Sequence, residues 1–232
     1  MIGIIGAMDI EVENLIQKLC EKSTNVYSGI TYTTGKYNKT DVVVAKCGMG
    51  KVNAAMCTQT MLLMYSPKAV INIGVAGALS QNVKVGDIVI GTAAVQHDFD
   101  LSPIGFDRGF IAELNNKFVS CTEEITEKLE LAAQKTKSTY HMGIIATGDC
   151  FINSGITKDA LFNEFNAIAC EMEGASIAHI CALNNTNFGI VRTISDNAND
   201  DSAFDFDNFV REAAQKSIAL ILEFFCCCES RT

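Results

Sequence analysis

Positive charge is scarce in this chain. Its 18 lysines and arginines stand against 27 aspartates and glutamates, a formal net charge of −9, and only Arg108, Arg192, Arg211 and Arg231 are arginine. Phosphate backbones are held by clustered Lys and Arg, so this balance argues against nucleic acid as a partner. It argues equally against an anionic membrane surface. No stretch approaches the roughly 18 unbroken apolar residues of a membrane helix. The N-terminus lacks a basic region and meets Asp9, Glu11 and Glu13 too early for a secretory signal. The expectation is a soluble, cytoplasmic protein with no membrane partner. Proline is also rare, 2 in 232 residues, while hydrophobic residues make up 48%. That is a compact globular composition rather than a disordered one. The length fits one domain, expected over residues 1–232.

Disulfide and zinc patterns are missing although cysteine is abundant. The ten cysteines include no CxxC pair and no Cys/His cluster with zinc spacing. Most sit in apolar stretches and read as small buried hydrophobes in a reducing compartment. The run Cys226-Cys227-Cys228 precedes Glu229-Ser230-Arg231-Thr232, which fits no prenylation box, so an exposed helix end is expected there.

What is present is an alternation of apolar strands and amphipathic helices. A strand at about Ile2–Gly6 leads into a helix at about Asp9–Cys20, where Val12, Leu15, Ile16 and Leu19 recur at helical spacing. Strands near Ile30–Tyr37 and Asp41–Cys47 are joined by Asn38-Lys39-Thr40, a hairpin signal. A helix follows from Lys51 to about Met64, then an apolar strand at Ala69–Ile73 running into Gly74-Val75-Ala76-Gly77-Ala78, and another strand at Asp87–Ala94. Residues 96–114 form a long aromatic-bearing segment, a pattern common in ligand lids. A helix at Glu123–Lys135, strands at His141–Ala146, Ala167–Met172 and Phe188–Ile194, and helices at Gly174–Asn184 and Phe206–Phe225 complete the reading. Such alternation predicts an α/β fold with a mainly parallel sheet covered on both faces; the hairpin makes the sheet mixed.

The candidate chemistry lies where strands run out, because α/β folds bind ligands beyond the carboxyl ends of their strands. Three carboxylates are delivered there. Glu11 follows Ile2–Met8, Glu173 ends Glu171-Met172-Glu173, and Asp196 closes Phe188–Asp196. Each has a plainer reading. Glu11 can complement a helix dipole, Glu171 or Glu173 can be a solvated strand end, and Ser195 and Asp196 can cap a turn. As functional groups, an ionised Glu11 suits a general base, Glu173 can accept the two hydrogen bonds of a sugar diol, and a partly buried Asp196 can donate a proton. Arg192, inside a buried strand, requires a partner, most simply a carboxylate. Gly48-Met49-Gly50-Lys51 either makes a tight strand-to-helix turn or lets backbone approach a ligand. It lacks the spacing of a phosphate loop, and Gly3-Ile4-Ile5-Gly6 lacks the third glycine of a dinucleotide fingerprint.

Taken in order, Ile4–Met8 with Glu11, Gly48–Val52, Gly86–Val89, Gly148-Asp149 with Phe151-Ile152, Glu171–Glu173 and Ser195-Asp196 resemble the bacterial 5′-methylthioadenosine/S-adenosylhomocysteine nucleosidases. The likeness spans about residues 2–225. It implies a three-layer α/β/α sandwich with a central mixed sheet, like that of nucleoside phosphorylases, and a homodimer. The implied reaction is hydrolysis of the N-glycosidic bond of methylthioadenosine, S-adenosylhomocysteine or 5′-deoxyadenosine, without metal or cofactor. By this resemblance Glu11 activates water and Asp196 protonates adenine. Glu173 binds the ribose hydroxyls, oriented by Arg192, with Met172 beside the sugar. Phe151 stacks on the purine and Ile152 holds it through main-chain groups. Met8, Met49, Val75, Ala76, Gly77 and Ser195 complete the substrate contacts, while Leu101, Ile104, Phe106 and Phe206 line the alkylthio pocket. Val75 stands where many members carry Ser, which removes a hydroxyl. Two alternatives remain: a phosphorylase of the same fold, and a nucleoside-binding or adhesion module without catalysis. A phosphorylase needs arginines for phosphate, and none precedes Arg108.

Overall fold

The computed structural model describes residues 1–199 and 202–229; Arg231 and the rest of 230–232 lie outside them. Three layers are visible in which side chains meet. The strands β1 (Ile2–Gly6), β4 (Thr40–Lys46) and β5 (Ala69–Ala78) are buried on both faces. Because successive side chains alternate across a strand, adjacent residues enter different cores. Ile5, Val43, Ala45 and Val70 join Ala54, Cys57 and Met61 of α2 (Lys51–Tyr65) and Ile177 and Cys181 of α5 (Gly174–Leu183). Ile4, Val42, Val44 and Ile71 instead join Leu15 of α1 (Asp9–Lys18), Leu129 of α3 (Glu123–Lys135) and Phe224 and Phe225 of α6 (Ser202–Glu229). This is the expected α/β/α sandwich. A smaller core under α4 (Gly155–Phe165) gathers Leu161, Phe165, Val95 and Ala146.

Among the described residues the central sheet is mixed and has ten strands. Beside those named it contains β2 (Cys20–Tyr27), β3 (Ile30–Tyr37), β6 (Ile88–Gln96), the short β7 (Val119–Ser120), β8 (Tyr140–Thr147), β9 (Ala167–Glu171) and β10 (Asn187–Asp196). The hairpin β3–β4 forms as expected, with Tyr37 opposite Thr40. The structure differs from the sequence reading in several places. The first helix ends at Lys18, and Cys20–Tyr27 is an edge strand whose side chains are nearly all exposed. Helix α4 had no expected counterpart. The Cys226–Cys228 run is not simply exposed, since Cys227 is buried in the α1–α3–α6 core.

One feature of the sheet creates the site. Strand β5 pairs with β10 along one edge from Ala69 to Gly77. On the other edge β1 covers Ala69–Asn72, and β9 then pairs with Gly77 and Ala78. Between Asn72 and Gly77 the sheet splits, which is where an open α/β sheet offers a crevice for ligand.

Candidate active site

Glu11 fills the split. It sits in the first turn of α1, and its Oε2 accepts hydrogen bonds from the Ala7 and Met8 amides at 2.7 and 2.9 Å. Its Oε1 accepts from the Val75 amide, on the stretch of β5 between its two neighbours, at 3.1 Å. A β-carbon on Gly74 would collide with that same oxygen, so only glycine leaves room for the carboxylate. Glu11 is 3% exposed, and burial raises its pKa; Arg192 and the three amides offset part of that rise. The helix start therefore does not leave it a freely ionised surface acid.

Arg192, on β10, is fully enclosed. It pairs with Glu171 and also donates to the Asn72 Oδ1. This corrects the expected orientation of Glu173 by Arg192. Glu171 is the hub, also accepting from the Thr147 hydroxyl and from the amides of Glu173 and Gly174 at 3.0 and 2.8 Å. Glu173 instead accepts from the Gly50 amide at 2.8 Å. It is buried, and burial together with the charge of Glu171 pushes its pKa up to about 8. Neither glutamate is a solvated strand end. With Arg192 paired to Glu171, Glu173 keeps its proton at neutral pH.

Asp196 ends β10, where the register against β5 shifts between Ile194 and Asp196. Such irregularities re-aim side chains beside functional sites. The Ser195 hydroxyl donates to the Asp196 Oδ2 at 2.9 Å and the Ala198 amide donates to Oδ1 at 3.0 Å. Asp196 is 2% exposed.

These groups line one half-open cavity. Glu11, Glu173, Asp196 and Ser195 supply much of its polar wall, and Met8, Met49, Val75, Ala76, Gly77, Met172, Phe151 and Phe206 also line it. Phe151 and Phe206 meet edge to face with centroids 5.9 Å apart. Ile152 lines a small adjoining cavity that shares Phe151 and Asp196. Arg192 stands behind the wall and does not line the cavity. Leu101, Ile104 and Phe106 stand outside it; Ile104 is 70% exposed, and Phe106 stacks on Phe110 at 5.3 Å. Cys170 and Glu171 line the cavity as well, and sequence reasoning did not single out Cys170; its place in a buried strand was the only signal. Among the described residues no lysine or arginine lines either cavity, and no group of His, Cys, Asp and Glu has the form of a metal site.

Fold and cavity together define a member of the Phosphorylase superfamily, whose family model matches residues 1–225. The 5′-methylthioadenosine/S-adenosylhomocysteine nucleosidase of Shewanella sediminis (strain HAW-EB3) is 36% identical over 222 residues, covering 95% of this chain and 96% of that one. Among solved structures, the nucleosidase of that name from Neisseria meningitidis, in complex with methylthio-immucillin-A, superposes with a TM-score of 0.94 at 31% identity over 97% of each chain. The futalosine hydrolase of Helicobacter pylori superposes with a TM-score of 0.93 at 33% identity, again over 97% of each. Within the superfamily, the chain belongs to the 5′-methylthioadenosine/S-adenosylhomocysteine nucleosidase family.

Proposed function

We propose that the protein is an N-glycosyl hydrolase that cleaves 5′-methylthioadenosine and S-adenosylhomocysteine to adenine and the corresponding thioribose. The carrying observation is the convergence of Glu11, Glu173 and Asp196 on one cavity at the split of β5. Cleavage of a glycosidic bond passes through an oxocarbenium-like sugar and needs two carboxyl groups in opposite protonation states. Glu11, its pKa raised by burial, takes a proton from water; a base with a pKa nearer neutrality does this more efficiently. Asp196 donates to the purine nitrogen and makes adenine a leaving group. Glu173 holds the ribose hydroxyls, and the developing positive charge favours its ionised form. Phe151 stacks on the base, Ile152 borders it, and the methionines with Val75 and Phe206 take the thioether end. No step calls for a metal or cofactor.

Hydrolysis is favoured over phosphorolysis because, among the described residues, no lysine or arginine lines the cavity to hold a phosphate dianion. The ten cysteines carry no disulfide, in keeping with a cytoplasmic setting. We further propose a homodimer, since α2 leaves Val52, Met56 and Leu63 exposed at helical spacing and the adjoining α5 leaves Leu183 exposed. Leu101, Ile104 and Phe106 lie outside their own chain's cavity, so a role at the alkylthio end requires loop closure or a second copy. The deciding experiment is incubation with methylthioadenosine, with and without phosphate. Free methylthioribose in both buffers is expected; methylthioribose 1-phosphate formed only with phosphate would make the enzyme a phosphorylase.

A further inference from the structure

Outside the cavity wall a second set of charged groups ties together three segments, two of which carry cavity residues. Asp149 Oδ1 accepts the Lys51 amide at 2.7 Å, and the Asp149 amide donates to Asp98 Oδ2 at 2.8 Å. Asp98 Oδ1 pairs with Lys51 Nζ at 2.6 Å, and Lys51 Nζ also reaches Gln96 Oε1 at 3.3 Å. The result is a closed triangle linking the start of α2, the end of β6 and the turn after β8. None of its members lines the cavity.

The triangle bears on both halves of the site. Lys51 follows Gly50, whose amide donates to Glu173. Gly50 has φ +94°, a conformation that favours glycine, and a β-carbon there would stand 3.0 Å from Asp149 Oδ1. The Asp149 carboxylate thus fixes one peptide of the turn while the neighbouring peptide points its N–H at Glu173. On its other side Asp149 precedes Cys150 and Phe151, the aromatic wall of the cavity. We propose that Asp149 is a positioning residue that, through the Gly50–Lys51 turn, holds the Glu173 carboxylate in register with the Phe151 wall, so that the sugar hydroxyls and the base are gripped at a fixed separation.

This rests on the nucleosidase reading of the cavity, and it predicts an energetic coupling. Asp149→Ala should lower kcat/KM for methylthioadenosine by about 10- to 100-fold, since small misplacements of positioning groups cost that much. Most of the loss should disappear in a Glu173→Gln background, where the oriented carboxylate is already gone. Asp149→Asn keeps an oxygen facing the Lys51 amide and should recover most of the activity. The penalty should also shrink on the analogue that lacks the ribose 2′-hydroxyl. If Asp149→Ala does not fold, as judged by circular dichroism, Asp149→Ser takes its place in the cycle. Equal penalties with and without Glu173, in a folded variant, would overturn the proposal.

The same cycle can be run in Kd by calorimetry with adenosine and 2′,3′-dideoxyadenosine, which needs no turnover. Coupling in Kd by a wild-type protein that does not cleave would overturn the nucleosidase reading and leave this one standing. Cleavage without coupling would do the reverse. Absence of any nucleoside binding by the wild type would overturn both.

Discussion

At the scale of single residues, the site is a problem of placing protons on too many carboxyls. In the proposed reaction Asp196 is the acid, and Asp196→Asn keeps an oxygen for the Ala198 amide while removing the transferable proton. It should cost about 10²- to 10⁴-fold in kcat with unchanged thermal stability. Turnover near the wild-type level would remove Asp196 from that role. Glu173 makes a separate prediction about stability. Unfolded, it ionises near 4.5; folded and ligand-free, near 8. Between those values the native state keeps a proton that the unfolded chain has lost, so this residue lowers stability progressively as pH rises through that window, and the effect levels off above 8. Glu173→Gln removes the dependence. The variant's Tm should exceed the wild type's at pH 8, with the gap narrowing toward pH 5; a gap independent of pH would contradict the buried, raised carboxyl. The sequence marked Glu11, Glu173 and Asp196 as acids stranded at strand ends. It did not show which of Glu171 and Glu173 meets Arg192. Two glutamates two positions apart, at the end of one strand, are distinguished only by what β5 and β10 bring against them.

At the scale of elements, local pattern and tertiary need diverge in identifiable places. Strands β1, β4, β5 and β10 were legible because burial on both faces demands continuous apolar runs. Strand β2 was not legible, because an exposed edge strand, Cys20–Tyr27, imposes no alternation on its sequence. Helix α4 buries only Leu161 and Phe165, too few positions to establish a helical period. The end of β5 depends on glycine: Gly74 passes Glu11 so closely that any side chain would displace the carboxylate. Gly74→Ala should therefore reduce kcat by about 100-fold while leaving the far-UV circular dichroism unchanged. Full activity in that variant would show that Glu11 can move without consequence.

At the scale of the whole molecule, the split that houses Glu11 was invisible in the sequence, because it arises from strands far apart in the chain. The β5 edge passes from β1 to β9, and β9 reconnects through β8, β6 and β10 to the opposite edge of β5. No local period encodes such a circuit. The molecule's outer surface poses a comparable question. Val52, 79% exposed, and Leu63, 71% exposed, lie on the same helix as Met56, and Leu183 of the adjoining α5 is exposed as well. Exposed apolar side chains repeated along one helix are the pattern expected of an association face. A two-fold contact would present the same helix from both copies, so one substitution acts twice. Leu63→Glu then places two carboxylates in an apolar seam, where uncompensated burial of charge is prohibitive. Light scattering should give the wild type twice the 25.1 kDa of one chain and the variant that of a single chain. If Leu101, Ile104 and Phe106 reach the alkylthio end only through a second copy, KM for methylthioadenosine should rise in the variant more than kcat falls. A monomeric variant with unchanged KM would assign those three residues to their own chain's loop, and a wild type that is already monomeric would remove the dimer altogether.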